Sequence, residues 1–245
     1  PEGGPLLNLP GRTIALLLCG VLLGVGVAVA FSMGPVPQNP VYHDFADGRP
    51  CVGLSNAGNV VSNLPFLAIG IWGWVSIVGM VRAGRGYRER WELVAWTLFA
   101  GSLIGVAFGS SWYHLRPDND RLVWDRLPMT VAFMSLFALA LGDRFAGRVG
   151  KIALGPLVLL GLGSVLFWHL GERRGAGDLR PYGLVQFLPM VWIPILVFLC
   201  PASYTGGRDW LVALAWYGAA KLAESADRWV YGFGEVVSGH TLKHL

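Results

Sequence analysis

Apolar runs of about 20 residues recur along the chain, and each is broken by an arginine-containing loop. A run of that length is what an α-helix needs to cross about 30 Å of hydrocarbon. Only helices and closed barrels satisfy their backbone hydrogen bonds within lipid, and a barrel would show short alternating strands, which are absent from the sequence. The chain is 54% hydrophobic and only 14% charged, well below the charge of a soluble domain. The fold class is therefore an all-α polytopic membrane protein. The net charge of +4 is spread over the loops, which topology explains better than a nucleic-acid partner.

Eight segments follow: A over 13–33, B over 58–81, C over 91–113, D over 122–141, E over 152–170, F over 183–200, G over 210–225, and H beginning near Ser238 and cut short. The chain starts with Pro1 and stops one residue past His244, so trimming at both termini is expected. Segment A is too long for the apolar part of a signal peptide and reads as a retained helix. A proline-rich polar loop from Gly34 to Leu54 follows it. The expected organisation is residues 1–54 as an extra transmembrane helix with its loop, and residues 55–245 as the core. No internal repeat is evident. Cys19 and Cys200 fall in or at the end of apolar runs and Cys51 in a loop, with no CxxC pair and no disulfide framework.

With the N-terminus inside, the inner face carries Arg12, Arg82, Arg85, Arg88, Arg90, Arg144, Arg148, Lys151 and Arg208. The outer face carries Arg49, Arg116, Arg121, Arg173, Arg174, Arg180 and Arg228. The small excess inside sets this orientation. Whatever the orientation, the end of C and the starts of D and H share one face.

Polar chemistry collects on that face. The stretch from Gly109 to Met129 places Ser110 and His114 four residues apart and opens segment D with Asp125. Segment H carries His240 and His244, also four apart. Residues four apart share a helical face, and ionisable groups at membrane depth read as functional. Three of the five histidines meet here. They suit an open zinc site, with His114, His240 and His244 as ligands and a fourth position for water. Asp125 is then placed to orient that water and carry its proton, and Ser110 to hydrogen-bond a developing oxyanion or complete the metal shell. The bland alternatives are chance histidine pairs, a local serine cap and a helix N-terminal carboxylate. His169, at the end of E on the same face, is the rival ligand. His43 is expected to be solvated. Lys221, Glu224 and Asp227 recur every three residues along G, either as an ion-pair ladder beside H or as groups supporting the histidines.

The combination S-x-x-x-H, an Asp opening D-R-L-P-M, and H-x-x-x-H on the last helix resembles the alkaline ceramidases. These belong to a superfamily of membrane hydrolases that includes the adiponectin receptors. N-V-V-S-N entering segment B looks like the first core helix of that family, and the resemblance spans about Asn56 to Leu245. It implies a seven-helix core around an intramembrane zinc held by His114, His240 and His244, with Ser110 and Asp125 beside it. It also implies hydrolysis of the amide of a ceramide-like lipid to a sphingoid base and a fatty acid, with the metal near the non-cytoplasmic face. The chain departs from the pattern in having segment A before the core. It also lacks the family's acidic calcium-binding stretch: Asp44, Asp47, Asn56 and Asn59 stand there, and Asn56 replaces an expected glutamate, so no calcium site is expected. A lipid receptor with a structural zinc, and a transporter using Lys221, Glu224 and Asp227, are the alternative functions.

Overall fold

In the computed structural model, which describes residues 9–245, the chain is helical and no strand forms among the described residues. The helices are α1 (Leu9–Ser32), α2 (Ala57–Val61), α3 (Leu64–Arg82), α4 (Arg90–Leu115), α5 (Asn119–Arg144), α6 (Gly147–Glu172), α7 (Arg180–Leu199), α8 (Asp209–Ser225), α9 (Asp227–Tyr231) and α10 (Gly239–Leu242). The first eight residues of the N-terminal unit lie outside the described residues. Six spans are long and apolar enough to cross a membrane: 11–32, 57–82, 90–115, 119–144, 147–172 and 180–199. Segments A to F match these spans. Segment G forms the 17-residue α8 and H only the short α10.

Helix α5 is the axis of the bundle. It packs against α4, α6 and α7, and 61% of its most apolar window is buried, against 11% for α1, most of whose Leu and Val side chains are exposed. Only three residues separate α4 from α5 and two separate α5 from α6, so these neighbours run antiparallel. Their ends are well capped. Glu89 and Glu92 form a capping box at the start of α4, and Asp118 accepts from the Arg121 N–H at the start of α5, at 2.7 Å. At Gly109 the two helices touch backbone to backbone, and a β-carbon there would run into the Trp124 carbonyl oxygen. This contact, adjacent in sequence to both Ser110 and Asp125, brings those two side chains together.

Segment B is one helix by its sequence pattern and two in the structure. Pro65 sits in the first turn of α3 and cannot donate back to residue 61. The chain therefore breaks at Ser62–Asn63, where the Asn63 side-chain amide donates to the Asn59 carbonyl at 2.8 Å. The break costs α2–α3 some helical hydrogen bonding, and it turns Asn59 and Ser62 toward the end of the chain.

The loop between α1 and α2 folds over the same end of the bundle. The Asp178 carboxylate accepts from the Arg180 backbone N–H at 3.0 Å and from its guanidinium at 2.7–3.0 Å. Arg180 in turn donates to the Met33 carbonyl at 2.5 Å, fastening the end of α1 to the start of α7. On the other side of the loop, Asp47 pairs with Arg49 at 2.8 Å. These partners hold the carboxyls of Asp178 and Asp47 below the usual carboxylate range.

Candidate metal centre

The three expected ligands come together. His114 lies in the last turn of α4, His240 in α10 and His244 just past α10, and all three are buried, at 1%, 4% and 7% exposure. One ring nitrogen from each lies within 4.8 Å of the others, close enough to hold a metal ion. The Nε2 atoms of His114 and His240 face each other at 3.3 Å, across 126 residues of sequence.

The positioning of α10 explains the meeting. Ser238 caps it by accepting from the Thr241 N–H at 3.1 Å. Asp227 accepts from the His240 backbone N–H at 2.7 Å with one oxygen and from the Ala46 N–H at 2.9 Å with the other. Thr241 donates its hydroxyl to the Asn59 side-chain oxygen at 2.8 Å. Gly239 lies so close to α8 that a β-carbon would meet the Ala223 carbonyl oxygen.

The break in segment B fixes one imidazole. Ser62 Oγ is 2.8 Å from His244 Nδ1 and 3.1 Å from the Asn59 carbonyl oxygen. A carbonyl only accepts, and when the Ser62 hydroxyl proton goes to Asn59, His244 donates from Nδ1 to Ser62 Oγ. Its Nε2 is then bare, the form a metal requires. His114 is different: its Nδ1 is buried with no hydrogen-bond partner in the protein, and the Asn56 side-chain amide instead donates to its backbone carbonyl at 2.8 Å. Phe45 closes the cluster, its ring centroid 4.7 Å from that of His114 and 4.3 Å from that of His240.

Ser110 and Asp125, both buried, lie within hydrogen-bonding reach of each other. With His244 they line a cavity of about 810 Å³. The charged lining gathers at the histidine end. Deeper in the bundle, one to three helical turns away, the walls are Ile69, Leu103, Phe133, Phe187 and Trp216, interrupted by Gln186, whose amide donates to the Tyr217 hydroxyl at 2.5 Å.

The other expectations divide. His169 stands apart from the cluster, with Nε2 3.7 Å from Asp120, which removes it as the rival ligand. His43 is not a solvated loop residue: Nδ1 meets the Tyr113 hydroxyl and Nε2 the Asn119 side-chain oxygen, both at 2.9 Å. Lys221 and Glu224 form an ion pair, and Glu224 also accepts from Lys243 at 2.6 Å. Asp227 leaves that stripe to hold the backbone of α10. Of the residues that build the centre, Phe45 carried no readable signal, and Asn59 and Ser62 stood out only as part of N-V-V-S-N entering segment B, with no role beside the histidines, since each acts through tertiary contact. No family model, curated protein or solved structure matches the chain.

Proposed function

We propose that this chain is a zinc-dependent intramembrane hydrolase of lipid amides, with the ceramide-like substrate that its sequence resemblance implies. The observation that carries the reading is the convergence of three buried imidazoles beside the polar end of a cavity that is apolar below. Two imidazole nitrogens on one tetrahedral zinc, each at roughly 2.0–2.1 Å, stand roughly 3.3–3.4 Å apart. The 3.3 Å between His114 and His240 fits that edge, and with Nδ1 donating to Ser62, His244 would keep its second nitrogen free for the ion. The histidine-only donor set also suits zinc, while calcium and magnesium favour oxygen.

Bound zinc would polarise the amide carbonyl and lower the pKa of a water. The protein's own groups do the rest. Asp125 takes the proton of the attacking water and delivers it to the leaving nitrogen. Ser110 holds the Asp125 carboxylate in place before reaction and offers its hydroxyl to the carbonyl oxygen as charge develops there. The apolar walls take the lipid chains, which enter sideways between helices, and exclude water from the amide. On the proposed topology α8 and α10 belong to the sixth and seventh helices of the core, and the centre lies near the non-cytoplasmic face.

Purified protein should carry about one zinc per chain, lost in His240→Ala/His244→Ala. With ceramides of several chain lengths, Asp125→Asn should keep its zinc and lose roughly 10²–10⁴-fold in fatty-acid release. Unchanged release in Asp125→Asn would sink the hydrolase reading.

A further inference from the structure

The cavity contains a positive charge without an ion-pair partner among the described residues. Arg126 is 5% exposed and lines the same cavity as Ser110, Asp125 and His244. Asp125 acts on it only through space, and the groups in contact with it are neutral. Nη2 donates to the Gln38 side-chain oxygen at 2.7 Å, and the Tyr42 hydroxyl lies against the group. The rings of Tyr42, Trp168 and Tyr182 surround the guanidinium at 5.5, 4.3 and 4.8 Å. Nη1 is buried without any acceptor, and no ion pair to Arg126 forms among the described residues. Asp125 is next in sequence but turned about 100° around the helix, toward Ser110.

A buried guanidinium with an empty N–H is costly, and aromatic faces offset only part of that cost. Lys221 and Lys243 share the carboxylate of Glu224. With Asp125 the lining has two carboxylates against the three cations Arg126, Lys221 and Lys243, so this end of the cavity stays positive even before any metal binds. The planar, always-charged fork of arginine is suited to carboxylate.

We propose that Arg126 is a specificity-determining residue that pairs with a carboxylate on the head-group side of the substrate, so that, among the lipid amides this site could hydrolyse, an N-acyl amino acid is preferred over a neutral amide such as a ceramide, which narrows the ceramide-like reading above. The head group sits between Arg126 and the histidine end, and the acyl chain runs down past Leu103 and Phe133. The chemistry rests on the amide-hydrolase reading. Water adds its hydroxyl to the acyl carbon, the C–N bond breaks, and the water proton goes to the leaving amine. An N-acylglycine thus yields a fatty acid and glycine.

The test compares N-palmitoylglycine with N-palmitoylethanolamine, which have nearly the same shape and differ in one negative charge. Hydrolysis is followed on the zinc-loaded protein in phosphatidylcholine nanodiscs, and equilibrium binding on the Asp125→Asn protein. The acidic amide should be favoured at least tenfold in kcat/KM and in Kd. Arg126→Met should bring both ratios near one. Gln38→Glu should do the same, because it places a carboxylate at Nη2 while leaving the packing intact, and it serves if Arg126→Met fails to fold. Ratios near one in the wild type, or a tenfold preference surviving in Gln38→Glu or Arg126→Met, would overturn the assignment. If neither amide is hydrolysed the amidase reading fails by itself, and the binding ratios still decide the role of Arg126.

Discussion

At the scale of single residues, the histidine cluster depends on groups outside it. Ser62 bridges the Asn59 carbonyl and His244 Nδ1, and when its proton goes to Asn59 it holds His244 as an Nδ1 donor. Ser62→Ala removes that instruction and leaves His244 free to adopt the wrong tautomer. The expected result is a loss of about 10–100-fold in zinc affinity, measured by competition with a chelator, with activity recovered at high zinc. Unaltered affinity would show that the hydroxyl is incidental. Ser110, His114, Asp125, His240 and His244 were legible in the sequence because spacing and topology are one-dimensional signals. Ser62, Asn59 and Phe45 were not, because an ordinary serine, asparagine or phenylalanine reveals its partner only once α10 folds back on it. His43 was misjudged for the same reason, since its two acceptable partners, Tyr113 and Asn119, arrive from the ends of α4 and α5.

At the scale of elements, hydropathy located the long helices to within a few residues, since a membrane leaves little choice about where an apolar run of 20 must lie. It could not locate the break between α2 and α3, which rests on Pro65 and on asparagines that satisfy the freed backbone. Nor could it show how α1 is fastened. The clasp between Asp178 and Arg180 does this, and it is sensitive to acid. The folded Asp178 carboxyl titrates below its unfolded value of about 3.9. Its contribution is therefore present above that pH and is lost as pH falls through the folded value. Asp178→Asn should unfold at a lower temperature than the wild type at pH 7, and the gap should narrow as pH is brought toward 3. A constant gap in thermal scans of the detergent-solubilised protein would argue against the clasp.

At the scale of the whole molecule, the loops connect two faces of different chemistry. The histidine face carries the α1–α2 loop, the α4–α5 turn and α10; the opposite face carries the α3–α4 and α5–α6 loops with their basic residues. The chain offers its own probe of which is outside. Cys51 is exposed in the α1–α2 loop, while Cys19 and Cys200 are buried. On the proposed orientation a membrane-impermeant maleimide should label Cys51 on intact cells, and Cys51→Ser should abolish the signal. Labelling that requires permeabilised cells would invert the topology and place the centre at the cytoplasmic face. The orientation was the least legible property in the sequence, because basic residues are nearly balanced between the two sets of loops.

The two halves of the histidine cluster are separated by 126 residues of chain, and that separation sets an order of events during biosynthesis. While a ribosome is still adding α5 to α9, His114 is already in the bilayer as a lone imidazole, unable to retain an ion. Loading must wait until residue 244 has been made and the turn at Gly239 has docked on α8. On the proposed reading, an earlier arrest leaves an inserted bundle without two of its three ligands, and metal capture follows the synthesis of the segment that carries His240 and His244.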